Sequence, residues 1–316
     1  MQLTMENTDL KLEYLSADHT KGLCDLYKGV FQKEVSEEYF SIKYGLFDID
    51  RAQFATVALE NNRIVGFYGS FLTEYCDYNK KESLKLVHTC DYILRKEYRG
   101  KGVLDHLYLH SLKRMKLQNV DFVCAFQSVQ TYKVSQKFSW VDGLFFKRFH
   151  LPLFPKKVTQ VLHKLGTEKT LRKRLEKALN PFIVKQELDT LNRHPEKYTQ
   201  KYDSAFLRMK EFCPHYLVKI EGCTLWLKYD SHISVGFVHF PENGSAEKLM
   251  SALKKILGNV GIHELVFHVQ DESREFNLLS ESQEAHPSFK ISYLRLSDSK
   301  VAFEDVRLNF MDMDIF

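Results

Sequence analysis

A chain of 316 residues, 44% of them hydrophobic and 27% charged, is long enough for two ordinary domains and has the balance of a globular protein. Its formal charge of +4 is mild for that length, so the whole molecule gives no argument for nucleic acid, and such a partner would have to rest on a local patch. No window approaches the roughly 18 uninterrupted apolar residues of a membrane span, and MQLTMENTDLKLEYL lacks the basic start and apolar centre of a signal peptide, which together read as a cytoplasmic protein.

Taken in chain order, KGLCDLYKGVFQK sets Leu23, Leu26, Tyr27 and Val30 at helical spacing, and a second short helix follows Ser36 in SEEYFSIKY. Phe54 to Leu59 and Arg63 to Thr73 read as a hairpin across ENNR. Leu84 to Leu94 is a long strand, and VDFVCAF after it a buried one. Between them lies an amphipathic helix, so the two strands should run parallel, joined by a helical crossover. Residues 156–177 hold eight Lys or Arg against two Glu, with Val158, Val161, Leu162 and Leu165, then Leu171, Leu175, Ala178 and Leu179, at helical spacing. This is a basic helical connector: either a linker pair packed on two domains with a solvated charged face, or a membrane-surface or polyanion patch.

The second half repeats the mixed pattern. Strands are expected at Tyr216–Ile220, Cys223–Tyr229, Ser234–Phe240, ELVFHVQ, Tyr293–Leu296 and Val306–Phe310, and a helix at Ala246–Leu257. Strand, turn, helix and strand recur in VGFVHFPENGSAEKLMSALKKILGNVGIHELVFHV as in CDYILRKEYRGKGVLDHLYLHSLKRMKLQNVDFVCAF, but PENGSAEK replaces EYRGKGVL. The paired-glycine turn with its two cations therefore belongs to the first copy alone. There, Arg99, Gly100, Lys101 and Gly102 lead directly into a helix. The backbone N–H groups of Lys101, Gly102, Val103 and Leu104 at that helix start suit a pyrophosphate, with Arg99 and Lys101 adding charge.

The segment LRKEYRGKGVLDHL resembles the acyl-CoA-binding signature of the GNAT superfamily of N-acyltransferases, Q/R-x-x-G-x-G/A. Arg99 takes its first position and Gly102 its fourth, while Leu104 stands in the sixth, where the family has Gly or Ala. SEEYFSIKY, RIVGFYGSF, the strand holding Asp91 and FSWVDGLFFKRFHLPLF are similar to the corresponding pieces of two-lobed bacterial members, often found with surface-polysaccharide genes. The resemblance covers residues 10–155 firmly and 185–316 weakly. It implies an α/β (α+β) fold of tandem GNAT-like lobes, each a mixed central sheet flanked by helices. The expected domains are 1–155 for acyl-CoA binding, 156–184 as connector and 185–316 as a degenerate second lobe. The implied co-substrate is acetyl-CoA or another acyl-CoA, the implied partner a small-molecule amine, an amino sugar or its nucleotide derivative, and no metal is implied.

Acyl transfer from a thioester to an amine needs donors for the oxyanion, a base and a proton for the departing thiolate. By position in the family, Ile93, Leu94 and Arg95 offer backbone groups to the pantetheine and acyl carbonyl, with the Leu94 backbone as oxyanion donor. Asp91 is a base or an orienting carboxylate; His88, on the other face of the strand, is a base or a packed histidine. The family tyrosine five residues before the aromatic of a Gly-Phe pair is here Ser135, before Ser139-Trp140. Tyr132, one helical turn earlier, is the candidate acid, since a phenol suits thiolate reprotonation better than a serine hydroxyl. His232, His239, His263 and His268 lack partners at ligand spacing and read as solvated or packed, and the six cysteines read as reduced core residues. Asp312 and Asp314 read as an exposed acidic end. Two other readings stand beside the transferase: a non-catalytic acyl-CoA-binding or scaffold protein, and an aminoacyl-tRNA-dependent transferase of peptidoglycan type, against which the intact turn argues.

Overall fold

The computed structural model describes residues 10–127, 129–165, 167–185 and 188–313, so Asp314 lies outside the described residues. The first part of the chain forms β1 (Lys11–Tyr14), α1 (Thr20–Phe31), α2 (Glu37–Lys43), α3 (Ile49–Ala52), β2 (Thr56–Glu60), β3 (Arg63–Asp77), β4 (Glu82–Leu94), α4 (Val103–Leu117), β5 (Phe122–Gln127) and α5 (Val129–Lys137). There follow β6 (Val141–Pro152), α6 (Lys156–Lys164), α7 (Glu168–Leu179), α8 (Leu188–Asn192), β7 (Tyr198–Gln200) and α9 (Ser204–Met209). The chain closes with β8 (His215–Ile220), β9 (Cys223–Tyr229), β10 (Ile233–His239), α10 (Ala246–Leu257), β11 (Glu264–Gln270), α11 (Arg274–Ser280), β12 (His286–Arg295) and β13 (Val306–Arg307). Two compact units result. One holds the chain up to Asp142 with His194–Phe212 and Ser292–Val306; the other holds Gly143–Arg193, Cys213–Ile291 and Arg307 onward, α6 and α7 included.

In the first unit the strand order is β1-β2-β3-β4-β5, with β4 and β5 parallel and β7 added to β3. Asn61 and Asn62 both take positive φ, 49° and 63°, between β2 and β3. Two successive left-handed residues make the tight turn that matches strand twist, which is why ENNR closes a hairpin. The sheet is covered on both faces. Val65, Val87, Leu107, Met115 and Trp140 build the core on the α4 side, and Leu23, Leu26, Phe40, Phe67 and Ile93 the core on the α1 and α2 side.

In the second unit the order is β6-β11-β10-β9-β8, with β10 and β11 parallel across α10 and the other pairs antiparallel. One face packs Leu265 and Phe267 against Leu171 and Leu175 of α7 and Leu249 and Leu253 of α10. Both units thus have a mixed sheet with flanking helices. No helix among the described residues is long and apolar enough to cross a membrane, and none of the six cysteines is in a disulfide.

Three local expectations are revised. Of the four apolar residues at helical spacing in and just after α6, Leu162 packs on the core, while Val158, Val161 and Leu165 are 44%, 56% and 71% exposed. The Thr159 hydroxyl donates to the Gly261 carbonyl at 2.9 Å, and this bond turns the polar edge of the helix inward. The strand expected at Val306–Phe310 stops at Arg307, and Phe310–Asp312 forms a 3-10 turn. Asp312 is buried rather than exposed, because its carboxylate accepts the Asn309 N–H at 2.8 Å and closes that turn. Finally, β6 forms in a stretch whose sequence carries no strand signal. Phe145 is exposed, whereas Phe146, Phe149 and Leu151 are buried, so its apolar residues break the alternation that marks a strand in sequence.

Candidate active site at the turn before α4

Between β4 and α4 the chain makes one 3-10 turn, Lys96–Tyr98, and then passes through Gly100 and Gly102, both at φ +77°. A Cβ on either glycine would meet nothing within 4 Å. Glycine is required there by the left-handed backbone and not by crowding, and the space beside the turn is open. Gly102 is the N-cap of α4 and no side chain caps it. The amides of Val103, Leu104 and Asp105 therefore have no acceptor within the helix. Leu94, Arg99, Gly100, Gly102, Val103 and Leu104 all line one cavity of about 580 Å³. Arg99 and Lys101 are exposed. The Arg99 Nε donates to the Leu94 carbonyl at 3.3 Å, and the Lys101 ammonium lies 5.7 Å from the centre of the Tyr98 ring.

The end of β4 has an open edge. Parallel pairing with β5 is confined to Leu86–His88 against Phe122–Cys124, and beyond it the two strands part. On the other side β3 continues to pair, through Phe67 with Ile93 and Gly66 with Leu94. The Arg95 N–H donates to the Val65 carbonyl at 3.0 Å. Backbone groups alternate along an antiparallel strand, so Ile93 and Arg95 turn theirs toward β3, and Leu94 turns its N–H and carbonyl toward the edge that β5 has left. The Ile93 side chain is buried in the core on the α1 side.

The other residues singled out from sequence have definite surroundings. The Asp91 carboxylate accepts from the buried Lys43 ammonium at 2.8 Å and from the Tyr44 hydroxyl at 2.5 Å. Burial raises its pKa, but the Lys43 charge and these two hydrogen bonds outweigh burial and leave the carboxyl below its ordinary value. A bulge in the β3–β4 pairing falls between Tyr68 and Ser70, opposite Asp91. A Cβ on Gly69 would lie 2.3 Å from the Tyr44 hydroxyl, so the close approach requires glycine. His88 is a packed core histidine. It stacks on Phe71 and Tyr75, faces the Cys124 sulfur at 3.6 Å, and is pushed down to about 3 by burial, with Lys210 adding to the effect.

Tyr132 lies on α5 and donates to the Asp142 carboxylate at 3.2 Å. Ser135 is buried, with its hydroxyl on the Tyr132 carbonyl at 2.9 Å. Ser139 takes φ +60°, a conformation that favours glycine, at the position where the resembling family has one.

The cavity also contains residues that sequence reasoning missed. Lys137, at the end of α5, pairs with Asp105 in the first turn of α4 and neutralises the carboxylate nearest the free amides. Tyr92 stands in the wall two residues before Leu94 on the same face, its hydroxyl 2.9 Å from that of Thr89, and burial raises its phenol well above the ordinary value. Val30 and Phe31, the end of α1, complete the wall. Strand alternation could have found Tyr92; nothing local pairs Lys137 with Asp105.

Residues 20–138 match the acetyltransferase (GNAT) family model. No curated protein matches the sequence. Among solved structures, the chain is similar to a proposed acetyltransferase from Pyrococcus horikoshii, with a TM-score of 0.57 and 12% identity over 98% of this chain and 96% of that one. It is also similar to a GCN5-related N-acetyltransferase from Kribbella flavida (0.56, 12%, 91% of this chain and 72% of that). A third likeness is to a GCN5-related N-acetyltransferase from Anabaena variabilis (0.54, 11%, 91% and 73%). At these identities the likeness speaks for the fold. The segment 20–138 is thus similar to the acetyltransferase (GNAT) family, whose chemistry is acyl transfer.

Proposed function

We propose that the first unit binds an acyl-CoA, acetyl-CoA foremost, and transfers its acyl group to a primary amine in the cytoplasm. The observation that carries this reading is the meeting, at one cavity, of an uncapped helix start bracketed by two left-handed glycines and the open edge of β4 at Leu94. The open space at Gly100 and Gly102 fits a pyrophosphate approaching the amides of Lys101–Leu104, with Arg99 and Lys101 as cations. When bound, the thioester supplies an activated acyl carbonyl.

This chain's residues then take the following roles. The Leu94 N–H, turned away from β3, donates to the carbonyl oxygen as negative charge develops there. Asp91, held ionised by Lys43, orients the acceptor side of β4. Two phenols can return a proton to the thiolate. Tyr132 sits on the helix that also brings Lys137 to the cavity, and Tyr92 lies in the cavity wall itself, kept protonated by burial. An amino sugar or its nucleotide derivative is the acceptor class we favour.

One observation favours a binding module instead: Ser135, where the family tyrosine would stand, is buried with its hydroxyl engaged. A turnover assay separates the two readings. Free thiol released only when an amine is present establishes the transferase, and CoA binding without release establishes the module.

A further inference from the structure

The second unit holds a cavity of about 610 Å³ on the sheet face opposite its helices, within the range of roughly 300–1,000 Å³ usual for small-molecule sites. Its floor follows from strand register. Lys228 of β9 pairs with Ser234 of β10, Ser234 with Val266 of β11, and Val266 with His150 of β6. One step along, His268 pairs with Arg148. The intervening residues Leu227, Ile233, Leu265, Phe149 and Leu151 point into the core, so alternation alone would make this face polar.

A merely solvated face does not account for what stands there. The imidazoles are half-buried or buried and are held in place by hydrogen bonds. Glu264 accepts from His150 Nδ1 at 2.9 Å and from His263 Nε2 at 2.8 Å. His232 Nε2 lies 3.1 Å from the Ser234 hydroxyl. His268 Nδ1 lies 2.8 Å from the Ser288 hydroxyl, and its ring stacks on Phe310 at 4.0 Å.

We infer that this cavity binds a small polyhydroxylated anion, a sugar carrying a phosphate or a carboxylate. The wall mixes donors and acceptors: His150 and His268 each keep one ring nitrogen outside the bonds just given, and the serine hydroxyls are both donor and acceptor. A sugar hydroxyl is likewise donor and acceptor. A bare anion would need donors alone and a metal ion acceptors alone, and among the described residues no group of three or more His, Cys, Asp or Glu could hold a metal. Val266 in the floor and Phe289 and Phe310 at one end give the apolar patches that the C–H face of a sugar ring requires. The anionic group is set by Arg148, since Lys228 lies three strands away, roughly 14 Å or more, on β9 beside Asp230, which also lines the cavity. Arg148 is exposed and makes no ion pair among the described residues. Glu264 stands four residues along β11 from His268, the register partner of Arg148, so its charge is about 13 Å from the anionic group. The inference does not depend on the acyltransferase reading of the first unit.

The test is calorimetry on the full chain with glucose 6-phosphate, glucuronic acid, glucose and inorganic phosphate as probes, alongside CoA. The two anionic sugars should each bind at least 10-fold more tightly than glucose or phosphate. Arg148→Gln, an exposed substitution, should weaken them about 10- to 100-fold, the worth of a charge-assisted contact, and leave CoA binding unchanged. Glu264→Gln, which loosens His150 and His263, should weaken all three sugars alike. Phosphate binding as tightly as the sugar phosphate, glucose binding as tightly as the anionic sugars, no binding by any probe at millimolar concentration, or an Arg148→Gln protein with unaltered sugar affinities would each overturn the proposal.

Discussion

The two units repeat one motif with opposite outcomes at its turn. In each, a strand leads into a helix and returns to a parallel neighbour, β4-α4-β5 in the first and β10-α10-β11 in the second. The start of α10 is closed. Ser245 caps it, its hydroxyl accepting the Lys248 N–H at 3.4 Å, and a Cβ on Gly244 would lie 2.9 Å from Pro241 Cδ and 3.0 Å from the Pro241 carbonyl. The start of α4 has no side-chain cap and open space beside both its glycines. Both helices carry a dipole and free-ended amides by virtue of being helices. What would make one an anion site is that its own chain leaves those amides uncapped by a side chain and uncovered.

Substitutions on the two sides of this comparison should part company. The largest effect is expected in the chemical step. Tyr132→Phe or Tyr92→Phe, whichever removes the proton donor, should slow single-turnover acyl transfer by about 10²- to 10⁴-fold with little change in CoA affinity. Ser135→Ala should do much less, and full rate in both phenylalanine variants would remove phenols from the mechanism. Next comes Gly102→Asp, which sets a carboxylate and a strained left-handed Cβ beside the free amides. Calorimetry should show CoA affinity reduced by about 100-fold or more, roughly 2.7 kcal/mol, in a protein that remains folded. Unaltered affinity would dissolve the contrast between the two turns.

A third test uses pH. His88 is held at about 3 when folded, against about 6.5 unfolded. For a base depressed by folding, its contribution to stability is complete above the unfolded value and is lost as pH falls from about 6.5 toward 3. Replacing it by His88→Gln removes the titration. The variant's deficit relative to the parent, by urea unfolding, should therefore shrink by up to about 2 kcal/mol between pH 7 and pH 5. His268, also held at about 3 by burial, gives the second unit the same dependence. A deficit that does not change with pH would mean that His88 titrates alike folded and unfolded.

The smallest effect belongs to the closed turn. Ser245→Ala should cost about 1 kcal/mol of stability, the ordinary worth of an N-cap, and leave CoA affinity as it was. A gain or loss of CoA binding in that variant would break the comparison from the other side.

What the sequence determined by itself is local. The left-handed glycines, the helix that follows them, the hairpin at Asn61-Asn62 and the repeated strand-helix-strand order depend on backbone conformation and short periodicities, which neighbouring residues dictate. The turn at Arg99–Leu104 was legible for that reason, and so was its absence from the second copy. Contacts across the chain were not. Lys137 reaches Asp105 over 32 residues and Lys43 reaches Asp91 over 48. Leu94 offers its N–H only because β5 leaves β4 after His88, and Tyr132 points to Asp142 where spacing alone left its direction open. The floor of the histidine cavity is assembled from four strands whose register no single segment encodes. Those features were decided by tertiary structure, because side chains far apart in sequence meet only once the strands have paired and chosen which edge to leave open.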